Sequence, residues 1–269
     1  MTQTIMEIDG IPVYIEGDGI ETVLMIHGWP DTYHLWDGQI EAMSQQYRCV
    51  RFTLPGFEIG AARRKWSIEE LCLFFDRVID ATSQGKPVTL LLHDWGCTFG
   101  YRLYLKNPDK IKRIIGVDVG DPVSRWEEAS LKVRISILVY QHWLAFAWLI
   151  GGRTGNWMAQ TMARIGHCPT IGPQVTANQA YPYYMNWLAG AQSYRQNKRR
   201  FVPSCPMLFI YGLKKPFMFH TEGWLTRVLE NPLSKALAFD SGHWVMIEQS
   251  EQFTSAVINW LDIADHKIA

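Results

Sequence analysis

Leu91-Leu92-His93-Asp94-Trp95-Gly96-Cys97 is the stretch on which the reading of this chain turns. The run Val88–Leu92 is wholly apolar, and a helical pattern follows from about Gly96 to Leu105. Asp94 therefore sits on a tight turn between a buried strand and a helix. The ordinary role of an Asp in that position is to cap the helix. Two distant segments, His27-Gly28-Trp29-Pro30 and Asp240-Ser241-Gly242-His243-Trp244, point to chemistry instead, because each lies just past a strand of its own.

Working outward, short strand-like runs alternate with helical patterns, which predicts an α/β protein with a mostly parallel central sheet flanked by helices. Thr4–Ile8 and Ile11–Ile15 form a hairpin that turns at Asp9-Gly10. Val23–Ile26 and Tyr47–Phe52 are strands, and Ser67-Ile68-Glu69-Glu70 is a capping box opening a helix to about Thr82. Ile111–Val117 is the next buried strand. Beyond Pro122 the strand pattern stops, and helical, Trp- and Tyr-rich sequence runs to about Val202. Strands return at Met207–Tyr211 and Ala236–Phe239, with helices near Glu222–Glu230 and from about Glu248. Residues 1–121 and 203–269 are thus expected to build one core, with 122–202 inserted as a helical cap.

Composition removes several function classes. The 269 residues are 48% hydrophobic and 13% aromatic, enough apolar surface to offset chain entropy and exclude disorder. The 26 basic and 26 acidic residues cancel, leaving no electrostatic footprint for nucleic acid. Cys49, Cys72, Cys97, Cys168 and Cys205 are scattered and contain no CxxC pair, which argues against a disulfide framework or a zinc site and fits a reducing compartment. The first residues lack the regions of a signal peptide. The apolar run Ile135–Ile150 is broken by Gln141 and His142 and falls short of a membrane span. These features predict a cytoplasmic protein with no membrane span, no metal and no cofactor, and they leave a homodimer open.

The motifs His27-Gly28-Trp29-Pro30, His93-Asp94-Trp95-Gly96 and Gly242-His243-Trp244 together resemble the α/β-hydrolase superfamily, over nearly the whole chain. Within it the resemblance is to the epoxide hydrolases and haloalkane dehalogenases, which carry an Asp on the nucleophile elbow where GxSxG enzymes carry Ser. The resemblance implies Asp94 as nucleophile, His243 as base, and the backbone N–H groups of Trp29 and Trp95 as an oxyanion hole. The carboxylate selects the reaction. It is ionised at neutral pH without help and can displace a leaving group from an sp³ carbon, giving an ester. Attack on a carbonyl would give an anhydride, so esterase and protease readings fall away. His27 and His93 are read as turn-shaping residues.

His243 needs an acidic partner. Many relatives place it after the strand corresponding to Met207–Tyr211, but this chain continues Gly212-Leu213-Lys214-Lys215-Pro216 with no carboxylate. Asp118, at the end of Ile111–Val117 and 24 residues past Asp94, matches the alternative place used in one dehalogenase branch. Asp121 and Asp240 are read as turn residues.

In the cap, Tyr140-Gln141 resembles the segment carrying the first proton-donating Tyr of epoxide hydrolases, and Tyr183-Tyr184-Met185 the second, with Met185 in place of the usual Arg. The carry-over gives Tyr140 and Tyr184 as acids, Tyr183 as competitor, and Tyr183, Trp143 and Trp187 as substrate contacts. The expected activity is opening of an apolar small-molecule epoxide to a vicinal diol through an aspartyl ester. The alternatives are a haloalkane or haloacid dehalogenase, and a weakly catalytic, ligand-binding scaffold.

Overall fold

All six residues of the strand Val88–His93 are buried, as are all five of Thr22–Ile26, and continuous apolar burial of this kind belongs to strands covered on both faces. The computed structural model describes residues 3–196 and 199–268. Eight strands, β1 (Gln3–Ile8), β2 (Ile11–Glu16), β3 (Thr22–Ile26), β4 (Arg48–Phe52), β5 (Val88–His93), β6 (Ile111–Val117), β7 (Met207–Gly212) and β8 (Lys235–Phe239), form one sheet in the order β1-β2-β4-β3-β5-β6-β7-β8. Among the described residues only the β1–β2 and β2–β4 pairs are antiparallel. Every pair from β4–β3 to β7–β8 is parallel. The hairpin turns at Asp9-Gly10, both at positive φ (55° and 79°), the turn that matches strand twist.

Helices α1 (Asp37–Met43), α2 (Ile68–Thr82) and α3 (Trp95–Lys106) come from the first half of the chain. Helices α4 (Pro122–Glu128), α5 (Leu131–Ile150), α6 (Gly152–Ile165) and α7 (Tyr181–Trp187) follow β6, and α8 (Glu222–Leu229), α9 (Val245–Glu248) and α10 (Ser250–Ile268) complete the chain. The Ser67 hydroxyl accepts from Glu70 N at 3.1 Å while the Glu70 carboxylate accepts from Ser67 N at 2.8 Å, the reciprocal cap its sequence predicts. Sequence reading missed α1, whose entry is a short 3-10 turn at Tyr33–Trp36. It also missed the short α9, which Gln249 separates from α10.

Between β6 and β7 the described residues hold helices and 3-10 turns and no strand. By length and composition α5 is long and apolar enough to cross a membrane, which corrects the expectation that this run is too short. The difference arises because the helix continues N-terminally through Lys132 and Arg134, giving it 20 residues. Only 28% of its most apolar window is buried, yet Ile137, Gln141, Leu144, Ala145 and Ala147 pack inward.

Parallel register fixes where chemistry can sit. Ile26 lies beside Leu92, Leu92 beside Gly116, and Val117 beside Ile210, so the carboxyl ends of β3, β5, β6 and β7 open on one side of the sheet. That is where ligands bind in open α/β sheets.

Candidate active site

Asp94 follows β5 directly and has φ 52° and ψ −118°, a strained left-handed conformation for a residue with a side chain. The strain is held from below by close backbone approach. A Cβ on Gly96 would lie 2.2 Å from Ile26 O, and one on Gly28 would lie 2.4 Å from Asp94 Oδ1 and 2.6 Å from Trp95 N. Only glycine lets the β3 loop and the start of α3 press together here. The result brings Trp29 N to 2.8 Å from Asp94 Oδ1, where it donates a hydrogen bond to the carboxylate.

His243 lies in the loop after β8, with Nε2 3.6 Å from Asp94 Oδ2. Its Nδ1 is hydrogen-bonded to Asp118 Oδ2. Asp118 leaves β6 at φ 70°, is fully buried, and also accepts from Gly212 N at 3.1 Å. The imidazole therefore sits between two carboxylates, one following β5 and one following β6. Burial alone would lower its pKa, but Asp118 first and Asp94 second favour the charged ring and raise it to about 9. Both carboxylates respond in kind. Burial opposes their ionisation, yet the facing His243 keeps each below its ordinary value.

Two neutral histidines frame this group. His93 donates from Nε2 to His243 O at 3.1 Å, and burial pushes its pKa down to about 3. Burial likewise takes His27 to about 4, and its ring joins Gly28 O at 2.9 Å to Leu54 N at 2.8 Å, fixing the loop that carries Trp29.

Above Asp94 lies a cavity of about 50 Å³. It is lined from the core by Asp94, Trp95, Thr98, Val119 and Phe219, and from the inserted helices by Pro122, Tyr140, Gln141, Tyr183 and Asn186. Tyr183 is buried, its ring edge-on to Trp95 at 5.2 Å and to Trp29 at 5.9 Å, and burial first, then the charge of Asp94, holds its phenol in the protonated form. Tyr140 faces Tyr183 with ring centroids 6.2 Å apart. Its oxygen accepts from Gln141 Nε2 at 2.8 Å, and Gln141 Oε1 in turn accepts from Trp187 Nε1 at 2.6 Å.

Three residues expected at the site are placed elsewhere. Tyr184 is not among the lining residues and stacks on Trp148 with centroids 4.2 Å apart. Adjacent residues on a helix point about 100° apart, and α7 turns Tyr183 inward instead. Trp143 donates to Met158 O at 2.9 Å inside the helical insertion. Trp187 reaches the cavity only through Gln141.

Sequence reasoning missed Gln141, Asn186, Asp31 and Lys215. Asp31 is buried and accepts from Trp244 Nε1 at 2.8 Å and Thr170 Oγ1 at 2.9 Å, tying the Trp29 loop to the His243 loop and to the insertion. Burial raises its carboxyl to about 6. The motif Trp-Pro-Asp immediately after His-Gly was its only sequence signal. Among the described residues no group of three His, Cys, Asp or Glu is placed to hold a metal ion.

Residues 21–145 match the family model described as alpha/beta hydrolase fold. Among curated relatives, the probable oxidoreductase EphD of Mycobacterium tuberculosis is 38% identical over 109 residues, 39% of this chain but only 18% of that protein. The match therefore spans about a fifth of that relative. The cis-3-alkyl-4-alkyloxetan-2-one decarboxylase of Xanthomonas campestris is 22% identical, covering 90% of this chain and 88% of that one. Human epoxide hydrolase 4 is 22% identical, covering 87% and 70%. Among solved structures, an epoxide hydrolase from Bacillus megaterium superposes with a TM-score of 0.73 at 17% identity, covering 96% of this chain and all of that one. The sheet order, the strained turn after β5 and these matches show that the chain has the α/β-hydrolase fold.

Proposed function

We propose that the protein is an epoxide hydrolase that works through an ester on Asp94, with residues 122–202 acting as a cap over the sheet. The observation that carries this reading is the placement of two phenols, Tyr140 and Tyr183, in one cavity with the Asp94 carboxylate. An opening epoxide produces an alkoxide, a leaving group that needs a proton. Asp94 attacks a ring carbon, the carbon–oxygen bond breaks, and a phenol protonates the departing oxygen. Water then replaces the alcohol on the ester. His243 takes its proton, hydroxide adds to the ester carbonyl, and the N–H groups of Trp29 and Trp95 receive the oxyanion. Collapse expels the alkoxide, which takes a proton from His243 and leaves as the diol, and the Asp94 acid returns a proton to the imidazole.

The raised pKa of His243 fits this sequence. At neutral pH the resting imidazole is protonated, because two carboxylates face it. Esterification removes the charge of Asp94, the imidazolium loses the second of its two carboxylate partners, and the ring becomes a base when a base is required. The two-carboxylate setting thus links proton release to formation of the ester.

Halide and carboxylate leaving groups depart without a proton, which separates the alternatives. A haloalkane needs N–H donors, and of the two indoles nearest Asp94 only Trp95 lines the cavity. An oxetan-2-one, named in the Xanthomonas relative, would release a carboxylate when a ring carbon is displaced. A panel of epoxides, haloalkanes and a cis-oxetan-2-one, scored for diol, halide and carbon dioxide, tests the assignment. Tyr140→Phe and Tyr183→Phe are each expected to slow epoxide opening by about 10²–10⁴-fold. Halide release and lactone opening should be little affected by either. Wild-type epoxide turnover in the double variant would reduce the tyrosines to pocket lining and move the dehalogenase reading ahead.

A further inference from the structure

Lys215 occupies the segment after β7 where the acid partner of the base stands in many relatives. A lysine there would ordinarily be expected in solvent. Its side chain is instead only 4% exposed, and its ammonium pairs with Asp118 Oδ1 while His243 holds Oδ2. One fully buried carboxylate is thus shared between an ammonium and an imidazole.

We propose that Lys215 is a positioning residue that tunes His243 through Asp118, weakening the hold of that carboxylate on the imidazolium so that the ring is released as a base once Asp94 is esterified. The inference rests on the ester reading for its timing, but the electrostatic link itself does not. In the resting site two carboxylates, Asp94 and Asp118, face two cations, Lys215 and His243, and the charges cancel. After Asp94 becomes a neutral ester, one carboxylate faces two cations. The imidazolium is then the surplus charge, and its proton passes to the phenolate that ring opening left. Without Lys215 the ester form would hold a balanced Asp118–His243 pair, and the proton would stay.

The surroundings leave His243 as the group that responds. His93, whose ring lies 4.4 Å from that of His243, and His220, packed on Tyr211 at 4.4 Å, are both held neutral by burial, at about 3 and about 4. Asp31, raised to about 6, titrates below the range concerned. The Lys214–Asp240 pair, 2.8 Å apart, is exposed at the surface and screened. Phe219 closes the remaining side, its ring 4.9 Å from the imidazole and 5.7 Å from the ammonium of Lys215.

The test is a nitrogen-detected NMR titration of His243 in the intact resting protein, for wild type, Lys215→Met, Lys215→Gln and Lys215→Arg. Removing the unit charge that shares Asp118 with the ring should raise the His243 midpoint by about one pH unit or more in the Met and Gln variants. Lys215→Arg should return it to within a few tenths of a unit. In pre-steady-state runs the Met variant should accumulate alkylated enzyme at pH 7 and clear it faster as pH rises. An unchanged midpoint in a folded Met or Gln variant overturns the proposal. So does unfolding of both with Arg intact, which would make Lys215 a structural counter-charge. Because the titration uses resting protein, it decides the role of Lys215 even if no ester forms, while absence of adduct in a base-deficient variant would strike the ester reading alone.

Discussion

Asp94→Ala should abolish diol formation, with a loss on the order of 10⁴–10⁶-fold, the scale seen when a covalent enzyme loses its nucleophile. The size follows from the geometry. Among the described residues no second carboxylate lines the cavity, and Asp118 is fully buried with its oxygens engaged by His243, Gly212 and Lys215. The fold should survive, because the Gly96 contacts that shape the turn are with the backbone of Ile26 and His27. Turnover within tenfold of wild type in a variant with an unchanged melting curve would mean that water, and not Asp94, attacks the substrate.

Asp118→Asn is expected to slow ester hydrolysis by about 10⁴-fold while leaving alkylation of Asp94 much less affected. The amide cannot offer His243 Nδ1 a charged acceptor, so the ring loses both its orientation and the support for its positive form. A second effect is predicted from Lys215. Its ammonium is buried against Asp118, and removing one partner of a buried ion pair costs about 3–5 kcal/mol. Asp118→Asn should therefore melt well below wild type, and adding Lys215→Met should recover part of the loss. Calorimetry of the single and double variants, beside burst kinetics on an epoxide, separates the two effects. An Asn variant that melts like wild type would show that the pair carries little of the local stability.

Much of the core was legible because its signals are local. A wholly apolar run followed by His-Asp-Trp-Gly could place Asp94 on a strand-to-helix turn, and a 24-residue spacing could place Asp118 at the end of the next strand. Those positions depend on strand ends, which the parallel register aligns almost automatically. The cavity wall is different. Whether Tyr183 or its neighbour Tyr184 faces Asp94 depends on the rotation of α7 about its axis, which is set by packing against α5 and by Trp148 beside Tyr184, and no pattern within the segment states it. Trp143 and Trp187 look like substrate contacts because they are large and aromatic, but their indole N–H groups are used inside the insertion. Lys215 was hidden for the opposite reason. A Lys-Lys-Pro turn reads as solvated charge, and only the fold brings a carboxylate from another strand to meet it.

The central claim is that Asp94 forms a covalent ester which His243 then releases, and one measurement addresses it directly. His243→Gln should be incubated with an epoxide that the wild-type protein hydrolyses, then examined by intact-protein mass spectrometry and peptide mapping. Because the ester can form without a base but cannot be hydrolysed without one, the protein should gain the mass of one epoxide, located on the peptide containing Asp94. Wild type treated in the same way should show little or no adduct at steady state. A His243→Gln protein that remains folded, turns nothing over and gains no mass on Asp94 would contradict the account.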